Sequence, residues 1–233
     1  MYAYYEESGN PNLRKNGLFT VFSIWTDAPH NQENFMRRWH KELRMNGYTG
    51  EEIKGHSLTI EQRSRACIKM KSSFNPSFRA DVVVLHMNSL ISDHRLFHPR
   101  SWTENEIHQA LLYYSMSAQI GALPDHAATI LVDRRHTLPN AFFIRAQSRL
   151  RKQFRAQRVS VNGATSHEQK NIQLADVLCN QCYHQINSKA RGHECDVGEL
   201  LRTSITVPLS VKVMNAPELV SVLTEFQEMG DRI

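Results

Sequence analysis

Acidic side chains stand at the ends of two predicted strands. Residues 1–7 are rich in aromatic residues and end in Glu6 and Glu7, and the apolar run at residues 127–133 ends in Asp133. Neighbouring residues of a strand point to opposite faces of its sheet. If the first strand continues through both acids, only one of them needs to face a shared site with Asp133.

A third acid, Asp176, lies near the start of a predicted helix. Gln173 precedes it by three residues, so the two side chains share one helix face. Carboxylates from separate segments bind hard divalent cations, and two such cations about 3.5–4 Å apart activate water and stabilise a leaving oxygen. Three or four carboxylates brought together from such segments would suit the metal-dependent hydrolysis of phosphodiesters.

Simpler interpretations of these acids remain open. Glu6 and Glu7 could be solvated acids at a strand end. Asp133 could pair with Arg134 or Arg135, which follow it directly. Asp176 lies where the helix dipole favours a carboxylate in any case.

The positive charge of the chain is concentrated in one window. The net charge is +5, yet no Asp or Glu occurs between residues 134 and 167. A basic segment without interleaved acids indicates a polyanion such as nucleic acid, although a charge run can also be a solvated face. The basic residues of the window are Arg134, Arg135, Arg145, Arg149, Arg151, Lys152, Arg155 and Arg158.

Two groups of sulfur and imidazole side chains permit a zinc interpretation. The first combines Cys179 and Cys182 with His184, His193 and Cys195. Both cysteines of the helix, however, fall on its apolar face, so we predict buried core thiols and consider zinc unlikely. The second group, His86, Asp93, His94 and His98, lacks tight spacing and is interpreted as a surface loop.

Composition places the chain among ordinary folded domains. Apolar residues make up 41% and charged residues 22% of 233 residues. Four cysteines are too few for a disulfide scaffold of this size, and no apolar run is long enough to span a membrane. The first residues do not resemble a secretory signal, so we expect a cytoplasmic protein without membrane contact.

The order of apolar patterns predicts an α/β fold. Two aromatic strands at residues 1–7 and 17–25 form an initial hairpin, and strands and helices alternate after it. We predict a mixed sheet with helices on both faces. Residues 1–190 form the main domain, and residues 191–233 form a small strand and helix addition packed on it.

Four short motifs together resemble the domain-of-unknown-function 3800 family, whose proteins are similar to the ribonuclease H-like superfamily. The motifs are Tyr-Glu-Glu-Ser-Gly-Asn at residues 5–10, Glu-Ile-Lys-Gly at 52–55, Leu-Val-Asp-Arg at 131–134 and Ile-Gln-Leu-Ala-Asp at 172–176. The resemblance covers residues 1 to about 185. It implies a ribonuclease H-like fold and a site holding Mg²⁺ or Mn²⁺.

The resemblance assigns roles residue by residue. It implies that Glu6, Asp133 and Asp176 are metal ligands, and Glu7 matches the second acid of the opening motif. Lys54 and Gln173 match a lysine and a glutamine of the family pattern, and Lys54 could balance charge or touch a phosphate.

The chain departs from the family pattern at its first acid. The family has Asp where this chain has Glu6, which moves the carboxylate by one carbon–carbon bond. Because Mg²⁺ demands near-ideal geometry, three outcomes stay open: a preference for Mn²⁺, use of Glu7 instead, or an inactive site.

We therefore predict a Mg²⁺- or Mn²⁺-dependent nuclease whose basic helix positions the substrate. The alternatives are a decayed nuclease that binds nucleic acid without cutting it, and a protein-interaction subunit of a larger assembly. The sequence does not distinguish DNA from RNA as the nucleic-acid partner.

Overall fold

The computed structural model describes residues 1–11, 17–71, 78–86, 102–134, 138–189 and 208–228. Arg135, Asp93, His94, His98, His193 and Cys195 lie outside these ranges, as does the whole segment from 190 to 207. None of the described helices is both long and apolar enough to cross a membrane.

The described residues form six strands, six α-helices and one short 3-10 helix at Gly55–Ser57, and strands and helices alternate after the initial hairpin as predicted. The strands are β1 (Tyr2–Gly9), β2 (Leu18–Thr26), β3 (Arg79–His86), β4 (Ala128–Asp133), β5 (Val159–Ala164) and β6 (Leu209–Met214). The helices are α1 (Pro29–Met45), α2 (Ile60–Lys71), α3 (Glu104–Gly121), α4 (Asn140–Phe154), α5 (Lys170–Lys189) and α6 (Ala216–Glu228).

The strands form one mixed sheet in the order β5-β4-β1-β2-β3-β6. Strand β2 is antiparallel to β1 and β3, whereas the other neighbours pair in parallel. The carboxyl ends of β1 and β4 therefore meet at one edge of the sheet, where sites of open α/β sheets are built. The predicted mixed sheet is confirmed.

Each face of the sheet carries its own apolar core, because side chains alternate along the strands. Tyr4 and Phe22 pack toward helices α1, α2 and α5, and we call this side the α5 face. Ala3 and Tyr5 pack toward helices α3, α4 and α6, and we call this side the α3 face. Helices on both faces confirm the predicted arrangement.

Local signals account for the limits of several elements. The predicted capping box is present at the start of α3, where Thr103 accepts from the Glu106 N–H and the Glu106 carboxylate accepts from the Thr103 N–H. Strand β5 extends past the predicted Val161 because Asn162 and Gly163 continue the pairing with β4.

The end of β1 requires a glycine. Gly9 has a φ of 93°, and a Cβ atom there would collide with the Leu18 carbonyl oxygen of the paired strand. The backbone of β1 can therefore approach β2 closely up to its last residue.

The carboxyl-terminal elements extend the same sheet. Strand β6 pairs with β3, and α6 packs on the α3 face through Leu219 and Leu223. The predicted domain division at residue 190 stays a prediction.

Candidate active site

Glu6 and Asp133 follow the last paired residues of two neighbouring parallel strands. The pairing of β1 with β4 ends at Tyr5 and Val132, so Glu6 and Asp133 are the next residues in register. Both side chains belong to the α5 face, because Tyr4 and Leu131, two residues earlier, pack there. Two carboxylates therefore lie side by side at the carboxyl edge of the sheet.

Asp176 reaches this edge from helix α5. Its side chain is buried, and its two oxygens accept hydrogen bonds from different groups. Oδ2 accepts from the Gly55 N–H at 2.7 Å, and Oδ1 accepts from Nδ2 of Asn180 at 2.7 Å. These two hydrogen bonds fix the orientation of the carboxylate at this edge of the sheet.

The segment at residues 52–55 is bonded to α5 through the N–H groups of two alternate residues, Ile53 and Gly55. The Ile53 N–H donates to Oε1 of Gln173 at 3.2 Å, and Nε2 of Gln173 donates to the Ser166 carbonyl at 2.6 Å. Because Gln173 and Asp176 share a helix face, they bind the N–H groups of Ile53 and Gly55 together. Gln173 therefore fixes the backbone of the 52–55 segment against α5, and its role as a supporting residue of a site stays a prediction.

Lys54 lies between these two anchored residues and bonds two side chains. Its ammonium lies 3.0 Å from Oε1 of Glu52 and donates to Oγ of Ser166 at 2.5 Å. The Ser166 hydroxyl in turn donates to Oε2 of Glu52 at 3.1 Å, which closes a ring of three polar groups.

The charge of Lys54 also acts on the predicted acids. Burial works to lower the pKa of Lys54, but the hydrogen bond and the charge of Glu52 outweigh it and raise the pKa. The carboxylates of Asp133 and Asp176 raise this pKa further. Lys54 is therefore a positive charge close to the acids Asp133 and Asp176.

Cys179 lies behind the acids, one turn along α5 from Asp176. Its thiol is 3.5 Å from Oγ1 of Thr20 and 3.9 Å from the Glu6 carbonyl oxygen. Burial raises the pKa of this thiol well above its usual value, and the carboxylates of Glu6 and Asp176 also raise it. Both acids therefore lie within electrostatic reach of this thiol. Cys179 and Cys182 are buried in the core of the α5 face, as the periodicity of the helix predicts.

Arg63 of α2 supports the turn that binds Asp176. Its side chain is buried and donates to the carbonyl oxygens of Gly55 at 2.8 Å and Leu58 at 2.6 Å. Burial lowers the pKa of this guanidinium, and the charge of Asp176 partly offsets the effect. A second cation therefore lies within the electrostatic reach of Asp176.

Glu7 is not part of this group. Strand β1 continues through residues 6 and 7, so Glu7 points to the α3 face. There its Oε2 lies 3.5 Å from Nε2 of His108, and both side chains are buried. The ring of His108 packs edge-on against Phe19. The predicted use of Glu7 as a further ligand is not supported by this placement.

Helix α4 divides the predicted basic patch between two ends of the sheet. The helix starts just after the carboxyl end of β4 and returns along the α3 face over about 22 Å to the start of β5. Arg134 lies at the acidic end and donates to Asn140 at 2.8 Å. Arg145 bonds the carbonyl oxygen of Ala141, in the first turn of α4.

The remaining basic residues lie toward the other end, and two of them have structural contacts. The Arg149 guanidinium packs 5.5 Å from the ring centre of Phe226, which joins α4 to α6. Nε of Arg151 donates to the Val159 carbonyl at 2.8 Å, at the outer edge of β5. The exposed residues at this far end are Lys152, Arg155 and Arg158.

The oxygen donors fit a hard divalent cation in chemical kind. Glu6, Asp133 and Asp176 supply only carboxylate oxygens, which Mg²⁺ and Mn²⁺ prefer over softer ligands. Over the described ranges, however, no three His, Cys, Asp or Glu side chains converge closely enough to enclose a metal ion. The three acids therefore have the ligand chemistry that such a cation prefers, but their side chains do not converge on one metal position.

Sequence reasoning did not identify Glu52, Ser166 or Arg63. Glu52 could have been noticed because it opens the Glu-Ile-Lys-Gly motif. Ser166 and Arg63 lie in segments without a distinctive spacing, and their roles depend on contacts with Lys54 and Gly55 that only the folded chain reveals.

Comparison with known proteins identifies the class of fold. The chain is similar to a chain from the structure of the PCNA:RNase HII complex from Archaeoglobus fulgidus, with a TM-score of 0.52 and 14% sequence identity. The similarity covers 82% of this chain and 75% of that chain. The protein therefore has a ribonuclease H-like fold, as predicted.

Sequence comparisons add no closer relationship. No protein-family model matches the chain, and no curated protein is similar to it in sequence. Membership of the domain-of-unknown-function 3800 family thus stays a prediction.

Proposed function

We propose that this protein is a Mg²⁺- or Mn²⁺-dependent nuclease that hydrolyses phosphodiester bonds. The observation that carries the proposal is the register of β1 on β4, which leaves Glu6 and Asp133 adjacent on the face covered by the Asp176 helix. The ribonuclease H-like fold supports the same conclusion.

Each acid would have a defined part in holding the metal. Glu6 and Asp133 would bind it from the sheet, and Asp176 would bind it from α5 with its orientation fixed by Gly55 and Asn180. When bound, the metal would lower the pKa of a water molecule and neutralise charge on the phosphate.

The remaining residues would position the substrate. Lys54 would contact a phosphate oxygen or balance charge beside Asp133 and Asp176. Arg134 and Arg145, at the acidic end of α4, would hold the adjoining backbone phosphates. Contacts from Arg151, Lys152, Arg155 and Arg158 would require a substrate long enough to follow α4 to its far end.

A cleavage panel tests this proposal. Purified protein is incubated with labelled single-stranded DNA, duplex DNA, RNA or hybrid, each with Mg²⁺, Mn²⁺ or EDTA. We expect cutting with metal, none with EDTA and none by Asp133→Asn or Asp176→Asn. The matched control is Asp125→Asn, since Asp125 is an exposed acid remote from the three candidate ligands.

A nucleic-acid-binding module without catalysis is the second candidate. The observation favouring it is that both Asp176 oxygens already accept protein hydrogen bonds, and that the described acids do not enclose a metal position. Salt-sensitive binding that persists in EDTA, without cutting of any substrate, would establish this alternative.

A further inference from the structure

Strand β6 lies at one edge of the sheet, and its outward main-chain groups are unbonded within the described ranges. The strand pairs with β3 alone, and the Ala80 N–H donates to the Pro208 carbonyl oxygen at 2.8 Å. Hydrogen-bonded residues alternate along a parallel pair, so the N–H and C=O groups of the next residue, Leu209, point away from β3. The groups of Val211 and Val213 point outward for the same reason.

Strand β5, at the other edge of the sheet, has its outward groups covered. Its Arg158 carbonyl oxygen accepts from β4, so by the same alternation Val159 and Val161 direct their main-chain groups outward. Nε of Arg151, from helix α4, donates to the Val159 carbonyl at 2.8 Å. The Val161 N–H donates to Oε1 of Gln147, from the same helix, at 3.0 Å. The chain therefore blocks this edge of its sheet with side chains.

Strand β6 has no comparable protection in the part of the chain that the structure describes. Natural edge strands are often guarded by lysine, proline or a covering helix. The ammonium of Lys212, the charged residue of β6, lies 2.5 Å from Oε1 of Glu218 and is thereby drawn toward α6. The residues with outward groups are Leu209, Val211 and Val213, whose side chains share the α5 face, and Val213 is 42% exposed. This edge is therefore open, uncharged and apolar.

Two copies of β6 complement each other in one antiparallel register. If Val211 lies opposite Val211 of a second copy, Leu209 lies opposite Val213, and all the outward N–H and C=O groups of these residues are paired. Apolar side chains then meet on the α5 face, and Ser210 lies opposite Lys212 on the α3 face. A register centred on Lys212 would oppose two like charges. A register centred on Ser210 would leave Val213 beyond the end of the second strand.

We propose that this chain forms a symmetric dimer in which β6 pairs with β6 of a second copy. A two-fold axis normal to the sheet passes beside Val211 and joins the two six-stranded sheets into one. The assembly is closed, because its remaining edges are the β5 strands, whose outward groups are covered by α4. Pairing also buries the apolar edge that a single chain exposes. This inference does not depend on the proposed nuclease function.

Sedimentation equilibrium of the full chain over a concentration series tests this inference. We expect a monomer–dimer equilibrium. Val211→Lys opposes two like charges at the two-fold axis and should weaken dimerisation at least about tenfold. The matched control is Asn162→Lys, which places the same charge at an exposed position of the other edge strand, and its dissociation constant should equal that of the unaltered chain. Circular dichroism of each variant verifies that it is folded.

Val211→Cys tests the register itself. Facing residues of a hydrogen-bonded antiparallel pair have Cα atoms about 5.5 Å apart, a separation that a disulfide can span. Mild oxidation should therefore link two Val211→Cys chains, but neither Asn162→Cys nor the unaltered chain. A monomer at every concentration, a dimer that Val211→Lys leaves intact, or a dimer that oxidation of Val211→Cys does not link would overturn the inference.

Discussion

The main-chain N–H of Gly55 donates to Oδ2 of Asp176 at 2.7 Å, across a contact that has no room for a side chain. A Cβ atom at residue 55 would lie 2.6 Å from the Asp176 carbonyl oxygen and 2.7 Å from Nδ2 of Asn180. The Glu-Ile-Lys-Gly and Gln-Leu-Ala-Asp motifs are therefore two halves of one packing contact. Their glycine and aspartate are needed for the fold as well as for any chemistry.

Gly55→Ala should lower the free energy of unfolding by about 1–3 kcal/mol, because backbone and Asn180 atoms must move to admit the methyl group. Urea unfolding followed by circular dichroism measures the change. The control is Gly47→Ala. No other atom lies within 4 Å of a Cβ at this position, so only the left-handed φ of 89° disfavours alanine, which should lower the free energy of unfolding by about 1 kcal/mol. Equal costs for the two variants would contradict the packing argument.

Glu6→Gln and Glu7→Gln should differ in their effects although the residues are adjacent. Glu6→Gln removes a proposed metal ligand and should slow cleavage at least about a hundredfold. Glu7→Gln alters the buried contact with His108 on the opposite face and should leave the rate within about threefold. Single-turnover cleavage measures both rates, and a Glu7→Gln variant that is folded but inactive would refute this assignment.

Asp81→Asn should stabilise the protein in a pH-dependent way. Burial raises the pKa of Asp81, although the hydrogen bond from Ser115 opposes the increase. A carboxyl group with a raised pKa in the folded state favours folding at low pH, and this stability is lost as the pH rises through the folded-state pKa. Asparagine does not ionise, so the variant keeps this stability at high pH, and its side-chain oxygen still accepts from Ser115. We expect the free energy of unfolding to rise by about 1 kcal/mol at about pH 8 and to be almost unchanged near pH 4.

Chemical unfolding of Asp81→Asn at both pH values measures that difference, with the exposed Asp125→Asn as its control. A gain of the same size at both pH values would show that ionisation of Asp81 is not its cause.

Arg134→Ala and Arg158→Ala should affect nucleic-acid binding differently. Arg134 lies at the same end of the sheet as the acids, so its loss should weaken binding several-fold and reduce the slope of log affinity against log salt by about 1. Arg158 lies at the start of β5, at the far end of the sheet, and its loss should change neither quantity for a short oligonucleotide. Fluorescence anisotropy across a salt series measures both, and the reverse order would place the substrate at the far end of α4.

The sequence was sufficient to predict the strands, most helix limits and the sheet edge that gathers the acids. Apolar runs ending in Glu6 and Asp133 carry that information locally, and the capping box does the same at Thr103. The rule of alternating faces also foresaw that Glu6 and Glu7 would separate if the strand continued through them.

Features that depend on tertiary contacts could not be predicted in this way. The basic residues form one continuous window in the sequence, yet those that the structure describes are spread from one end of α4 to the other. Ser166 approaches Lys54 only because the loop before α5 folds back over the segment at residues 52–55. Neither relationship leaves a periodic signal along the chain.

The glycine that ends β1 also determines which of two neighbouring glutamates lies on the α5 face. A displacement of β1 by one residue along β2 would exchange Glu6 and Glu7 between the two faces. Such a displacement would bring a side chain, in place of Gly9, against the Leu18 carbonyl group, where no Cβ atom fits. A residue without a side chain thus sets the register of the hairpin, because it keeps Glu6 on the α5 face and Glu7 in its buried contact on the α3 face.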